Sequence, residues 1–277
     1  MNLFQRNGVS FYRSDLIPCP HGFSTRLGGV SEKEHTSSLN LAFGRGDDAE
    51  TVLENLARFG NAAGFEPASV VSLPQIHGNN VLYISPENRG EGYSQATNRE
   101  ADGYVTDSPE VTLGIKTADC VPILLCGLSE EGIPIAVSAV HAGWRGTVSG
   151  IAKNGVRALT ERGIRPENIR AAIGPAIDVC CYEVDNAFYE RFCEEFGKAF
   201  LNETFLPSKH TEGKYYANLK EINRRILVAS GVPEENIDVC TECTCCHPEL
   251  FFSHRYTGGL RGTMLSVIAL PHSSDAP

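Results

Sequence analysis

The sequence is short of positive charge: 24 Lys and Arg stand against 34 Asp and Glu, a formal net charge of −10. That balance excludes a general nucleic-acid binder, which needs a basic face to displace counterions from phosphates. An anion can still bind through a local cluster of donors. No stretch approaches the roughly 18 uncharged apolar residues of a spanning helix, so no membrane association is expected. Met1 to Pro18 shows neither an apolar h-region nor a small-residue cleavage site, and the chain is expected to be cytoplasmic. Motifs of nucleotide chemistry are missing too: there is no P-loop, no GxGxxG and no HxE…PCxxC deaminase signature. No internal repeat, low-complexity linker or compositional shift divides the 277 residues, so one domain is expected.

Cysteine, in contrast, is plentiful, with ten residues. A secreted disulfide scaffold is normally shorter and carries a signal peptide, so these thiols are expected to be reduced. Most should be buried small hydrophobes, and a few ligands or nucleophiles. Cys240 and Cys243 have the Cys-x-x-Cys spacing that can clasp zinc, and Cys245, Cys246 and His247 follow closely. Buried or incidental thiols are the favoured reading there. Cys180 and Cys181 are adjacent and should not bridge each other; they are expected in the core or a turn.

The stretch around which the chain is organised is Ala139 to Thr147, AVHAGWRGT. An apolar run from Ile133 to Val140 ends in His141. Small residues follow, and then Val148, Ile151, Ala152, Gly155, Val156 and Leu159 recur at helical spacing. This predicts a strand, a tight turn and a helix over 147–162, with Thr147 as N-cap. His141 then sits at a strand's C-terminal end, where α/β proteins gather ligands, beside helix-start amides that attract anions.

Other elements read as follows. Asp47 and Asp48 open a helix with an apolar stripe from Val52 to Ala63, closed by Gly64. Glu87 to Glu100 reads as a long mobile loop. Ala101–Asp107 and Val111–Lys116 read as a hairpin through Ser108-Pro109-Glu110. Strands are expected at 69–73, 81–84, 121–126, 169–173, 237–239, 251–254 and 263–270, and helices at 185–196 and 219–229. Residues 198–216 read as irregular, and 271–277 as a frayed tail. Irregular alternation with hairpins argues for mixed sheets.

Three residues stand at strand ends among turn formers: His77, Cys120 and His141. Histidine and cysteine are preferred zinc ligands, and three protein ligands with an open fourth position make a catalytic site. Asp119 is a candidate to orient a ligating imidazole. The three lie 43 and 21 residues apart, and spacing alone does not bring them together. Arg26, Arg145 and Arg261 each lie near glycine and are candidates for phosphate; each can equally be a surface arginine. Asn40 and Glu183 are polar in apolar surroundings, suited to a sugar hydroxyl or to a structural hydrogen bond.

HGFSTRLGGVS, SLNLA, PQIHGNNV, ADGYVTD, TADCVPILL, AVHAGWRGTVSGI, IGPAI, CCYEV and FFSHR occur in the order seen in the YfiH, or laccase-domain multicopper polyphenol oxidase, family. The resemblance runs from about His21 to Leu270. It implies that His77, Cys120 and His141 are zinc ligands. It implies an α/β fold, a single-domain α-β-β-α sandwich similar in core to a deamidating toxin of the Cys–His hydrolase type. It also implies a purine nucleoside phosphorylase, acting with phosphate on adenosine, inosine and methylthioadenosine, with adenosine deaminase activity. Phosphate would rest on amides near Thr147, helped by Arg145 or Arg26. Peptidoglycan precursor editing is another proposed role in the family. The closing motif departs from the usual FFSYRR, with His254 and Tyr256 at the variable places.

Two competing readings remain. One is a copper-dependent phenol oxidase, since copper binds most nitrogen sites more tightly than zinc. A single His₂Cys site is poor provision for four-electron reduction of oxygen. The other is a metal-free hydrolase with Cys120 as nucleophile and His141 or His77 as base. A monomer or small homo-oligomer is expected.

Overall fold

The computed structural model describes residues 1–271; of the expected C-terminal tail, all but Pro271 lies outside the described residues. Two six-stranded sheets face each other. The first runs in the order Asn2–Arg6, Val9–Arg13, His21–Ser24, Met264–Ala269, Thr112–Thr117 and Val70–Val71. The second runs Ile237–Val239, Ile169–Ile173, Val121–Leu128, Pro134–Ala142, Gly103–Thr106 and Val81–Tyr83. Each contains parallel and antiparallel pairs, as expected for mixed sheets. A three-stranded sheet, Glu183–Asp185, Lys214–Ala217 and Phe205–Pro207, adds order to the region expected to be irregular.

Side-chain alternation explains the layers. Along Val121–Leu128, Val121, Ile123 and Leu125 join a core shared with the helices Ile151–Thr160 and Leu219–Ala229. Leu124, Cys126 and Leu128 point the other way, into the core between the two sheets. The strand is therefore apolar on both faces, which is why it reads as an unbroken hydrophobic run. On the far side, the helix Ala49–Ala63 packs Val9, Phe11, Leu56 and Phe59 into a third core. The order helix, sheet, sheet, helix matches the expected α-β-β-α sandwich. Each fully buried Leu, Ile or Phe contributes about 1.5–3 kcal/mol.

Local signals set several boundaries. Asp48 caps Ala49–Ala63 by accepting from Thr51 N at 2.7 Å, and Gly64 ends it in the left-handed region at φ 84°. Four expectations are corrected. Gly103–Thr106 and Thr112–Thr117 are not a hairpin: they lie in different sheets, and Ser108-Pro109-Glu110 carries the chain across the core. The helix expected over 147–162 is two helices, Trp144–Val148 and Ile151–Thr160, broken by left-handed Gly150 at φ 81°. Residues 251–254 are not a strand; Ser253 caps a short helix, His254–Thr257. The loop 87–100 is anchored, with the Tyr93 hydroxyl donating to Leu41 O at 2.6 Å and Arg99 paired at 2.9 Å with the buried Glu91. Among the described residues no helix is long and apolar enough to cross a membrane.

Candidate active site

Strand register assembles the site. In the second sheet Pro122 pairs with His141 and Gly103 with Val140, so the residues just before these strands, Cys120 and Asp102, arrive beside the end of Pro134–Ala142. His77 comes from the turn before Val81–Tyr83, which runs parallel to Gly103–Thr106. One ligand atom from each of His77, Cys120 and His141 lies within 4.8 Å of the others. The two imidazole rings sit 4.9 Å apart between centroids, inclined at 76°.

Asp102 orders this arrangement. Its carboxylate is fully buried and accepts from three consecutive amides, Ile76 N at 3.1 Å, His77 N at 2.9 Å and Gly78 N at 2.7 Å. It also accepts from His141 Nδ1 at 2.8 Å. The backbone of Asp102 takes part as well, its carbonyl accepting from His141 N at 2.7 Å. The three-amide cradle holds His77 at φ 60°, a conformation a histidine rarely adopts unaided. Because a carboxylate only accepts, His141 Nδ1 must carry the proton, and Nε2 is left as a lone-pair donor. Gln75 braces the turn from outside, its side chain bonding Lys116 N and O at 2.8 Å each.

Charge follows from this geometry. Burial opposes ionisation of the Cys120 thiol, but His141 and His77 outweigh it and bring its pKa down to about 6. Burial likewise opposes charge on His141, yet the Cys120 sulfur and Asp102 raise it to about 9. Without a metal, Cys120 and His141 therefore stabilise each other as thiolate and imidazolium, with a proton on Nε2 that a bound metal would displace. Two imidazoles and one thiolate in a half-open cleft also fit a divalent ion with three protein ligands and a free position. Gly143 completes the fit: a Cβ there would lie 2.9 Å from His77 Cδ2 and 3.3 Å from Cys120 Sγ.

Two cavities meet at these ligands. One, about 260 Å³, is walled by Arg45, Lys116 and Arg261. Arg261 Nε is buried without a partner, and burial, with Arg45 nearby, lowers the Arg261 pKa to about 10. The same two causes, burial and Arg45, lower Lys116 to about 8. The other, about 370 Å³, is walled by Trp144, Arg145, Tyr182, His254 and Arg255. Sequence reasoning singled out neither Asp102, Arg45 nor Lys116; Arg45, between Gly44 and Gly46, carries the same glycine signal as the three arginines named, Asp102 lies within the ADGYVTD string, and only Lys116 has no local mark.

The remaining candidates separate. Arg145 faces the second cavity, exposed, with its guanidinium 4.4 Å from the Trp144 ring centre. Arg261 borders both cavities. Arg26 does not reach the ligands: its donors go to the carbonyls of Ser37, Pro248 and Glu34, and it lines a third cavity with Phe252 and Tyr256. Asn40 is fully buried and joins Ala42, Asp47 and Thr263, leaving nothing for a sugar. Glu183 pairs with Lys214 at 3.2 Å. Asp119 orients no imidazole. Its carboxylate accepts from Thr244 Oγ1 at 2.6 Å and Arg255 N at 2.7 Å, and Asp102 has the expected role instead. Thr147 is no N-cap: Gly143 precedes the helix, and Thr147 is buried inside it, accepting from Asn223 Nδ2.

Residues 20–271 match the family described as multi-copper polyphenol oxidoreductase laccase. The chain belongs to this laccase-domain family. It is 38% identical over 274 residues to the purine nucleoside phosphorylase YlmD of Geobacillus stearothermophilus, covering 96% of this chain and 97% of that protein. It is 36% identical over 239 residues to adenosine deaminase RL5 of an unknown prokaryotic organism, covering 85% and 88%. The crystal structure of the Bacillus licheniformis protein YfiH superposes with a TM-score of 0.85 at 33% identity, covering 96% and 97%. These relatives support an enzyme, and the fold is that of the laccase-domain family.

Proposed function

We propose that the chain is a zinc-dependent purine nucleoside phosphorylase that takes adenosine, inosine and methylthioadenosine, with adenosine deaminase activity as a second reaction. The observation that carries this reading is the meeting of two unlike cavities at His77, Cys120 and Arg261. Phosphate suits the cavity of Arg45, Lys116 and Arg261, whose unpartnered Nε needs an acceptor. The nucleoside suits the other, where Trp144 and Tyr182 offer aromatic faces.

In phosphorolysis a phosphate oxygen forms the new bond to the ribose anomeric carbon as the bond to the purine nitrogen breaks. Positive charge gathers on the sugar, and the phosphate held beside it stabilises that charge. The departing purine needs a proton or a hydrogen bond, and His254 in the wall of that cavity is our candidate donor. His77, Cys120 and His141 would hold the zinc, and the same donors accept copper. When bound, the ion supplies Lewis acidity toward water or a substrate heteroatom, which is what deamination requires.

A second reading is favoured by Cys120, His141 and Asp102, which stand as nucleophile, base and orienting carboxylate of a metal-free hydrolase. One set of assays separates the two. Pure protein is given adenosine with and without phosphate, before and after chelation. Phosphate-dependent release of adenine and ribose 1-phosphate, lost on chelation and restored by zinc, is expected. Adenine released equally fast without phosphate refutes phosphorolysis. Turnover that survives the chelator and dies with a thiol alkylator establishes the hydrolase.

A further inference from the structure

Away from the two cavities, four more sulfurs converge. The Sγ atoms of Cys180, Cys181, Cys243 and Cys246 all lie within 4.8 Å of one another, with Cys246 3.3 Å from both Cys180 and Cys181. The favoured reading of incidental thiols did not foresee this. The spacing that contributes is not Cys240–Cys243 but the overlapping Cys-x-x-Cys of Cys243 and Cys246. Cys240 is buried elsewhere, in the core between the sheets. None of the four is in a disulfide, and a 3.3 Å separation is far beyond the roughly 2.05 Å of an S–S bond.

From this geometry we infer that Cys180, Cys181, Cys243 and Cys246 form a second, structural metal site that holds one zinc ion through four thiolates. A tetrahedral ion with Zn–S bonds of about 2.3 Å sets its sulfurs about 3.8 Å apart, within the span found here. An iron–sulfur cluster spreads its cysteines around several metal atoms, and four sulfurs this close enclose room for one. Four protein ligands leave no position for water, so this ion does no chemistry.

The surrounding bonds show why the thiols meet and what the ion would hold. The two loops leave neighbouring parallel strands, Ile169–Ile173 and Ile237–Val239, from the same edge. Thr244 N donates to Ala176 O at 3.1 Å, joining the loops. Buried Lys220 adds a second tie, pairing with Asp178 at 2.6 Å and donating to the carbonyls of Cys240 and Glu242. The cavity wall is built on the same loops. Tyr182 follows Cys181 directly, and Arg255 donates to Cys181 O at 3.0 Å. Thr244, between two of the cysteines, bonds the Asp119 carboxylate next to Cys120. Zinc binding would release the thiol protons and lock these contacts at once. The ion is thus a staple for one wall of the substrate cavity.

The test is metal content and sulfur reactivity of the full chain, expressed with zinc and purified under reducing conditions. Wild-type protein should carry two zinc ions per chain. The His77→Ala/His141→Ala variant should keep one, and exchange into cobalt should give it the intense charge-transfer absorption of a tetrathiolate. Zinc should protect Cys180, Cys181, Cys243 and Cys246 of the wild-type chain from alkylation, read by peptide mass spectrometry. A Cys180→Ser/Cys246→Ser variant should lose one ion and bind nucleoside more weakly. A single ion in wild-type protein that survives loss of both histidines supports this site while removing the proposed catalytic metal. Loss of all metal from the histidine variant overturns the inference. So does a disulfide from Cys246 to Cys180 or Cys181 in protein kept reduced, or equal alkylation of the four thiols with and without zinc.

Discussion

Asp102→Asn is the sharpest perturbation of the candidate site. One carboxylate oxygen accepts from His77 N and His141 Nδ1, the other from Ile76 N and Gly78 N. An asparagine has one oxygen and one NH₂, so it can satisfy only one of these pairs. If the oxygen faces His77 and His141, the NH₂ opposes the amides of Ile76 and Gly78 and the turn loses its support. If it faces Ile76 and Gly78, the NH₂ opposes His77 N and forces His141 Nδ1 to become an acceptor. The imidazole proton then moves to Nε2, the nitrogen needed for metal. The first orientation loses two hydrogen bonds and the second loses one and reverses the bond to His141, so at about 1.5–3 kcal/mol for each bond lost the cost is about 1.5–6 kcal/mol. Part falls on stability, and part on metal affinity, which should drop about 10–100-fold. Competition against a chromophoric chelator measures the affinity, and thermal unfolding of metal-free protein measures the rest. A variant with wild-type affinity and wild-type melting would falsify the role given to Asp102.

Two further outcomes follow from other atoms. In Gly143→Ala the backbone is untroubled, since φ is −63°, but the methyl carbon arrives 2.9 Å from His77 Cδ2. The exposed His77 ring should swing aside, so metal affinity falls about 10–100-fold while melting changes little; unchanged affinity by the same competition would show that the ligands do not close over this glycine. His21 tests the pH dependence of folding. It is fully buried, its Nδ1 donating to Cys19 O at 2.8 Å and its Nε2 accepting from Ser14 N at 3.0 Å, so both nitrogens are satisfied only in the neutral ring. Burial therefore lowers its pKa from 6.5 to about 4. The unfolded chain takes up the proton first, so stability is full above pH 6.5 and falls as pH drops toward 4, by about 3 kcal/mol in all. Urea unfolding at stepped pH and the imidazole chemical shift of His21 check this, and an NMR midpoint near 6.5 would overturn it.

Legibility differed by feature. The helix 49–63 was readable because Asp48, the apolar stripe and Gly64 each act within a few residues. The helix Leu219–Ala229 was equally local, with Asn218 capping Glu221 N. The strands 103–106 and 112–117 misled, because a short turn looks the same whether its strands pair or part into facing sheets. Arg26 and Asn40 misled for a related reason: glycine neighbours and apolar surroundings describe a loop, not what the loop's donors touch.

By itself the amino-acid order determined the limits of the helices 49–63 and 219–229, the apolar faces of the strands and the choice of His77, Cys120 and His141 as candidate ligands, because each shows in its neighbours along the chain. Tertiary structure alone decided that Asp102 sits opposite His141, that Arg45, Lys116 and Arg261 share one cavity, and that Cys180 and Cys181 meet Cys243 and Cys246. Those meetings depend on strand register and on which loops leave the same sheet edge. Register is a property of two strands at once, set by the packing of both faces of a sheet, and no single segment contains it.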